Sequence, residues 1–173
     1  MRPERQTGYT LIELLVTLAI LAALLAMALP SFEQSMRGNR VATATNELLA
    51  SFALARSEAI RSTRGAGVCS SDDGTSCGGS WNDGWLVWAD ADADGSLDDG
   101  ETVLRYSRGN PALSATGPAG GAVVAFDARG RRRAAGGDQT VVLRPAECGG
   151  QPLQRTLTIN ASGQVRTING SCS

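Results

Sequence analysis

The hydrophobic pattern divides the N-terminal part of the chain into an apolar stretch and an amphipathic one. Between residues 9 and 29, polar side chains occur at three positions only: Thr10, Glu13 and Thr17. As a helix this segment would be about 31 Å long, which is enough to cross the hydrocarbon core of a bilayer. Arg2 and Arg5 precede it, and this charge bias predicts a cytoplasmic N-terminus with the rest of the chain facing outwards.

From residue 31 to residue 64 the pattern becomes that of an amphipathic helix. Apolar residues recur at helical spacing, at Val41, Leu48, Phe52, Ala55 and Ala59. Arginines at positions 61 and 64, followed by Gly65, predict the end of the helix. The two stretches together predict one long helix that is kinked or loosened near Pro30 and Gly38.

Beyond Gly65 the chain is rich in glycine and in β-forming segments. Strands are predicted at 85–89, 102–106, 121–127, 139–144, 155–160 and 164–168, and loops at 108–121 and 134–138. Trp85 or Trp88 should pack on the helix, against Leu48 and Phe52. The predicted fold class is α+β, with a long N-terminal helix packed on a C-terminal antiparallel β-sheet domain.

Composition argues against several classes of enzyme. The chain carries 16 basic residues, all of them arginine, and no histidine. A phosphate-binding loop needs its lysine, a Ser-His-Asp triad needs its histidine, and a Schiff base needs a lysine amine. We therefore expect no enzymatic activity. The net charge of −1 also provides no global basic field that would attract nucleic acid.

The four cysteines lack the paired spacing of a zinc site, and we expect them to form two disulfides outside the cytoplasm. Four cysteines allow three connectivities, which sequence alone does not separate. We favour a short local loop between Cys69 and Cys77 and a bond between Cys148 and Cys172 that fixes the C-terminal end.

Glu13 is unexpected in a segment that is otherwise suited to a membrane. An unpaired carboxylate there costs on the order of 2.5–3.5 kcal/mol. One interpretation is a secretory signal peptide, cleaved after Ala26-Met27-Ala28 to release a soluble domain. The other is that Glu13 has a partner, and the helical continuation past Pro30 favours this second interpretation.

The stretch from Gly8 to Leu14, GYTLIEL, resembles the class III signal of type IV pilins and type II secretion pseudopilins. The resemblance implies that a prepilin peptidase cuts after Gly8 and N-methylates Tyr9. It also implies that Glu13 pairs with the terminal amine of a neighbouring subunit. The usual first residue of the mature chain in this family is Phe, so Tyr9 is a mild departure.

Other segments resemble the GspH/FimT group of minor pilins and pseudopilins, namely residues 40–65, 81–90, 94–101, 124–130 and 161–166. The group implies a single-pass inner-membrane protein with a periplasmic head, later incorporated near the tip of a pilus or pseudopilus. Its implied partners are the other minor subunits and the major subunit. The implied organisation is a leader (1–8), a transmembrane and assembly helix (9–29), a helical continuation (30–64) and a β-rich head (65–173).

Three functions remain open if the helix anchors the chain, and a fourth, a secreted soluble calcium-binding domain, follows from the signal-peptide interpretation. The first is a minor pilin that helps to initiate a type IV pilus, and the second is the H-type pseudopilin of a type II secretion system. The third is a DNA-binding minor pilin for natural transformation.

An acidic segment fits the pattern of an EF-hand calcium loop, D-x-D-x-D-G-x5-E. Its candidate Ca²⁺ ligands are Asp90, Asp92, Asp94, Ser96, Asp98 and Glu101. The flanking segments are predicted to be strands, whereas an EF-hand has helices there. The alternative is a solvated hairpin tip with ordinary Asp-Gly turn chemistry.

The string Gly130-Arg131-Arg132-Arg133 is a local basic cluster. Some members of the resembled group bind DNA through a C-terminal G-R-x-R motif, which this string matches. The position nearest to that motif in the chain is residues 163–166, which keep only the second arginine, Arg166. The candidate DNA contacts are therefore Arg131, Arg132, Arg133 and Arg166, and the alternative is a solvated loop.

Overall fold

The computed structural model describes residues 9–118, 123–133 and 136–172. Within them, one long helix is followed by eight strands. The elements are α1 (Leu11–Ser62), β1 (Gly65–Ser70), β2 (Gly84–Asp90), β3 (Thr102–Arg108), β4 (Leu113–Thr116), β5 (Val124–Asp127), β6 (Gln139–Pro145), β7 (Gln154–Ile159) and β8 (Val165–Gly170). This is the predicted α+β class.

The chain forms two compact units, which divide between Met36 and Arg37. Helix α1 is continuous through Pro30 and Gly38, so the single long helix predicted from the pattern is present. In the first unit its apolar side chains are exposed, for example Leu24 at 61% and Leu18 at 53%. One 18-residue window of α1 has a mean hydropathy of 2.6, which makes it long and apolar enough to cross a membrane.

In the second unit, α1 buries one face against the strands. The five positions at helical spacing, Val41, Leu48, Phe52, Ala55 and Ala59, are each at most 1% exposed. They share a core with Val68 of β1, Phe126 of β5 and Leu157 of β7. Burial of a Leu, Val or Phe side chain contributes about 1.5–3 kcal/mol, so this stripe holds the C-terminal half of α1 on the strands.

The end of α1 differs from the prediction. The helix ends at Ser62, and Thr63 takes a left-handed backbone conformation, with φ at 56°. Gly65, predicted as the stop, is instead the first residue of β1. A threonine therefore occupies the position that glycine usually takes after a helix, and composition gave no sign of this.

The strands form two antiparallel sheets of four strands each, where the sequence predicted one sheet. Their orders are β3-β2-β1-β5 and β4-β6-β7-β8. Strand β1 was missed because its sequence, GAGVCS, lacks β-branched and aromatic residues apart from one valine. Strand β4 lies inside the predicted loop 108–121, so that loop is wrong at residues 113–116, which pair with β6.

The two tryptophans of β2 lie on opposite faces of the first sheet. Trp85 belongs to the core under α1, whereas Trp88 packs with Cys69 and Leu86 on the other face. Gly67 makes room for the Trp88 ring, because a Cβ at that position would overlap the indole. The expectation that one of these tryptophans packs on the helix is met by Trp85.

Both cysteine pairs are bonded in the arrangement that the sequence favoured. Cys69 is joined to Cys77, and Cys148 is joined to Cys172. The first bond links β1 to the loop that follows it. The second connects the segment after β6 to the residues after β8, and so ties down the C-terminal end.

We expect Ser51→Ala to destabilise the protein by about 1–2 kcal/mol. Ser51 accepts a hydrogen bond from the Trp85 indole Nε1–H at 3.0 Å in the buried core. The alanine variant leaves that buried donor without its acceptor. Chemical denaturation should show the loss. Ser57→Ala is the matched control, because Ser57 is an exposed serine of the same helix that bonds the Leu54 carbonyl. Equal losses in the two variants would contradict the assignment.

Candidate functional site

The start of α1 is capped by a threonine and carries a glutamate in its first turn. The Thr10 hydroxyl accepts the N–H of Glu13 at 3.3 Å, and the Thr10 carbonyl accepts the N–H of Leu14 at 3.2 Å. Thr10 and Glu13 have the T-x-x-E spacing of a capping box, a sequence signal that was missed. Gly8, the predicted cleavage position, lies outside the described residues.

Glu13 is the single charged residue between residues 9 and 29, where most of the exposed side chains are apolar. It lines a shallow cavity of about 240 Å³ together with Tyr9, Leu14 and Thr17. Tyr9 is 86% exposed and Leu14 is 56% exposed. A carboxylate at the N-terminal end of a helix is favoured by the helix dipole. This local stabilisation holds for Glu13 whether or not a second chain supplies a positive charge.

The acidic segment between β2 and β3 closes on itself through backbone hydrogen bonds. Asp94 N–H donates to Asp90 Oδ1 at 3.1 Å, and Ser96 N–H donates to Asp94 Oδ1 at 2.7 Å. Glu101 accepts the N–H groups of Ala91 and Asp98. The first and last acidic positions of the predicted loop are thus both used to fix its backbone. The elements on either side are strands, as expected.

Carboxylate oxygens of Asp90, Asp92 and Asp94 converge to within 4.8 Å of one another. Of the other candidate ligands, the Ser96 carbonyl accepts the Trp88 Nε1–H at 3.1 Å. The pKa of Asp98 is raised above its ordinary value, and the largest cause is the nearby negative charge of Asp94. The loop therefore gathers several like charges at one place, and these repel unless a cation offsets them.

An arginine supplies positive charge at Asp90. Arg133 Nη1 donates to Asp90 Oδ2 at 3.1 Å, and the N–H of Gly95 reaches the same oxygen at 3.0 Å. The Asp90 side chain is 0% exposed, whereas that of Arg133 is 31% exposed. Burial raises the pKa of Asp90 above its ordinary value, while the Arg133 charge and the Gly95 N–H oppose that rise. A predicted DNA contact is thus bound to a predicted calcium ligand.

Calcium binding by this loop stays a prediction from the sequence. If the loop takes the ion, millimolar calcium should raise the melting temperature of the full chain in detergent, and a chelator should reverse the rise. Magnesium at the same concentration is the control, since it demands a smaller octahedral site. Identical melting curves with calcium and with chelator would contradict the prediction.

The three consecutive arginines line one open cavity together with Arg64 and Asp127, but each of the three is engaged by an acceptor of the chain itself. Arg131 pairs with Asp127 at 2.9 Å. Arg132 is 6% exposed and donates to the carbonyls of Gly136 and Gly137. Arg133 is bound to Asp90. The chain's own acceptors therefore engage each guanidinium, and Arg132 has little surface left for a nucleic acid.

The fourth candidate, Arg166 of β8, is exposed and lines a different cavity from those three. It lines a polar cavity together with Arg56 of α1. Arg56 was not singled out from the sequence. It follows the buried Phe52 by four residues, which places it near the buried stripe of the helix, and this spacing was the available signal.

Comparisons with known proteins agree with this architecture. The sequence model of the family described as Type II transport protein GspH matches residues 44–163, and that of the prokaryotic N-terminal methylation motif matches residues 4–29. No curated protein matches the chain.

Two kinds of solved structure share the fold. The type IV minor pilin FimU of Pseudomonas aeruginosa (strain PAO1) is 22% identical, with a TM-score of 0.54, over 75% of this chain and 89% of FimU. The minor pseudopilin EpsH of the Type 2 Secretion System of Vibrio cholerae is 15% identical, with a TM-score of 0.51, over 75% of this chain and 96% of EpsH. The family match spans more than half of the sequence, and the chain therefore belongs to the GspH family of minor pilins and pseudopilins.

Proposed function

We propose that this chain is a minor subunit of a type IV pilus, positioned at or near the tip, where it helps to initiate assembly. A prepilin peptidase cuts after Gly8 and methylates the new N-terminal residue, Tyr9. Before assembly the subunit is held in the inner membrane by the apolar part of α1, with its N-terminus in the cytoplasm and residues 37–173 in the periplasm.

The observation that carries this proposal is the placement of Glu13. The pilin-type signal of the sequence, residues 8–14, runs into helix α1, which begins at Leu11. The large apolar side chains of α1 from Leu14 to Leu29 are exposed. Exposed apolar surface on this scale requires lipid or other protein to cover it. A bilayer covers it before assembly, and the corresponding helices of neighbouring subunits cover it in a fibre.

Glu13 supports assembly in particular because it is the single acidic residue in that surface. In a low-dielectric environment a carboxylate is costly alone and is stabilised by a cation in contact with it. The N-terminal amine of an adjacent mature subunit is such a cation. Pairing between subunits would therefore favour the assembled fibre over the isolated helix in the membrane.

A second candidate is the H-type pseudopilin of a type II secretion system. It is supported by the family description itself, Type II transport protein GspH, over residues 44–163. The fold it shares with EpsH extends over 96% of that pseudopilin. Both candidates need the same cleavage, the same helix and the same kind of head, so they differ only in the fibre they enter.

A deletion strain of the parent bacterium distinguishes the two candidates. Under the pilus proposal, surface pili sheared from the deletion strain are lost or strongly reduced, and a plasmid copy of the gene restores them. The profile of secreted proteins should be unchanged. Normal pili together with loss of secreted proteins would contradict the pilus proposal and support the pseudopilin. Normal pili and normal secretion would contradict both.

A further inference from the structure

A polar cavity of about 630 Å³ in the second unit lies apart from the acidic loop and from the N-terminal segment. Helix α1 contributes Arg56, and the segment before β6 contributes Asp138. The β7–β8 hairpin contributes Thr158, Asn160, Gln164 and Arg166. None of these residues takes part in the proposed cleavage or in the pairing at Glu13.

Two arginines line this cavity, and of the two it is Arg166 whose guanidinium is exposed to it. Arg56 Nε is buried without a hydrogen-bond partner. Among the residues that the structure describes, none forms an ion pair or side-chain hydrogen bond with Arg166. Arg166 is exposed, so an anion that enters the cavity can bind its guanidinium without displacing a partner within the described chain.

The part of the cavity that the β7–β8 hairpin contributes is held in place by the hairpin turn. Asn160 Oδ1 accepts the backbone N–H of Gln164 at 3.0 Å and the Ser162 hydroxyl at 2.8 Å. Gly163 has a φ of +75°, and a Cβ there would overlap the carbonyl oxygen of Gly130. Such a turn holds the start of β8, and with it Arg166, at a defined position before any ligand arrives.

We propose that this cavity binds one carboxylate, presented by an aspartate or glutamate side chain on the neighbouring subunit of the fibre. Two guanidinium groups and the single carboxylate of Asp138 give the lining a net charge of +1. One further carboxylate neutralises it and offers the bidentate geometry that arginine prefers. A nucleic acid backbone places phosphates in series and needs several positive charges, which this cavity does not have. This inference rests on the proposed function, because it takes the ligand from a fibre subunit.

The test is direct binding to the purified full chain in detergent. Fluorescence anisotropy compares a labelled hexaglutamate peptide with a labelled twelve-residue oligothymidylate at low salt. We expect the peptide to bind more tightly than the oligonucleotide. Arg56→Gln and Arg166→Gln should each weaken peptide binding about tenfold, which is what the loss of one charge-assisted contact produces. Asp138→Asn should strengthen it.

Arg105→Gln is the matched control, because Arg105 is an exposed arginine on β3 in the other sheet. Its binding should equal that of the unchanged chain. The proposal is overturned if the peptide does not bind, if Arg105→Gln weakens binding as much as Arg56→Gln, or if the oligonucleotide binds more tightly than the peptide. This binding test is independent of the deletion-strain experiment, in which the presence or absence of pili tests the proposed function.

Discussion

Arg133→Met is expected to destabilise residues 37–173 by about 3 kcal/mol at neutral pH. Removing one partner of a buried ion pair costs about 3–5 kcal/mol, and the lower end applies because Arg133 is 31% exposed. The Asp90 carboxylate, 0% exposed, would be left with only backbone donors. Circular dichroism of the full chain in detergent should record a melting temperature lower by about 10 °C.

A double-mutant cycle separates the charge effect from lost packing. Asp90→Asn combined with Arg133→Met should be less destabilised than Arg133→Met alone, since no buried charge is then left unpaired. Arg105→Met controls for loss of an exposed arginine and should change stability by at most about 0.5 kcal/mol. If the double variant is less stable than Arg133→Met, the ion pair is not the source of the loss.

The pH dependence of Arg133→Met follows from the pKa of Asp90. Burial already raises this pKa above the ordinary value of 3.8, and loss of Arg133 should raise it further. When the pKa of a carboxyl group is higher in the folded state than in the unfolded state, its ionisation disfavours folding. Stability then falls as pH rises from the unfolded-state pKa to the folded-state pKa. The stability gap between the variant and the unchanged chain should therefore narrow as pH falls from 7 towards 4. Denaturation curves with a gap that is constant with pH would contradict this account.

The helix and most strands could be predicted because their signals are local. The stripe from Val41 to Ala59 repeats at the helical period, and all of its predicted positions are buried. Strands β2, β3, β6, β7 and β8 contain runs of β-branched or aromatic residues. In contrast, β1 and β4 are strands only because their neighbours pair with them, and pairing is a tertiary effect that overrides weak propensity.

The roles of individual arginines could not be predicted, for a related reason. The run of three arginines at 131–133 is contiguous in sequence and suggested a single charged patch. In the fold the three still line one cavity, but their acceptors differ: Arg132 is buried and bonds loop carbonyls, Arg131 bonds Asp127, and Arg133 reaches Asp90, which is 43 positions earlier. A partner as distant as Asp90 leaves no periodic signal in the sequence, and how the loops pack decides which acceptor each arginine bonds.

Glu13→Gln is expected to abolish incorporation into fibres while leaving insertion into the membrane intact. Glutamine keeps the hydrogen-bonding capacity that a capping box needs at this position, but it carries no charge. If the carboxylate pairs with the amine of a neighbouring subunit, the uncharged variant loses that pairing and the energy that favours assembly. Immunoblots of sheared fibres and of inner membranes, from the deletion strain expressing the variant, measure the two quantities separately.

Thr10→Ala is the matched control, because it removes the cap and keeps the charge. Thr10 accepts the N–H of Glu13, and the loss of such a cap costs about 0.5–2 kcal/mol of helix stability. Its incorporation should fall only slightly, whereas that of Glu13→Gln should fall at least tenfold. A larger fall in incorporation for Thr10→Ala than for Glu13→Gln would mean that Glu13 acts by stabilising the start of the helix and not by contacting another subunit. If both variants are incorporated as well as the unchanged chain, Glu13 is not required for assembly. Burial of the exposed apolar surface of α1 would then be the remaining driving force.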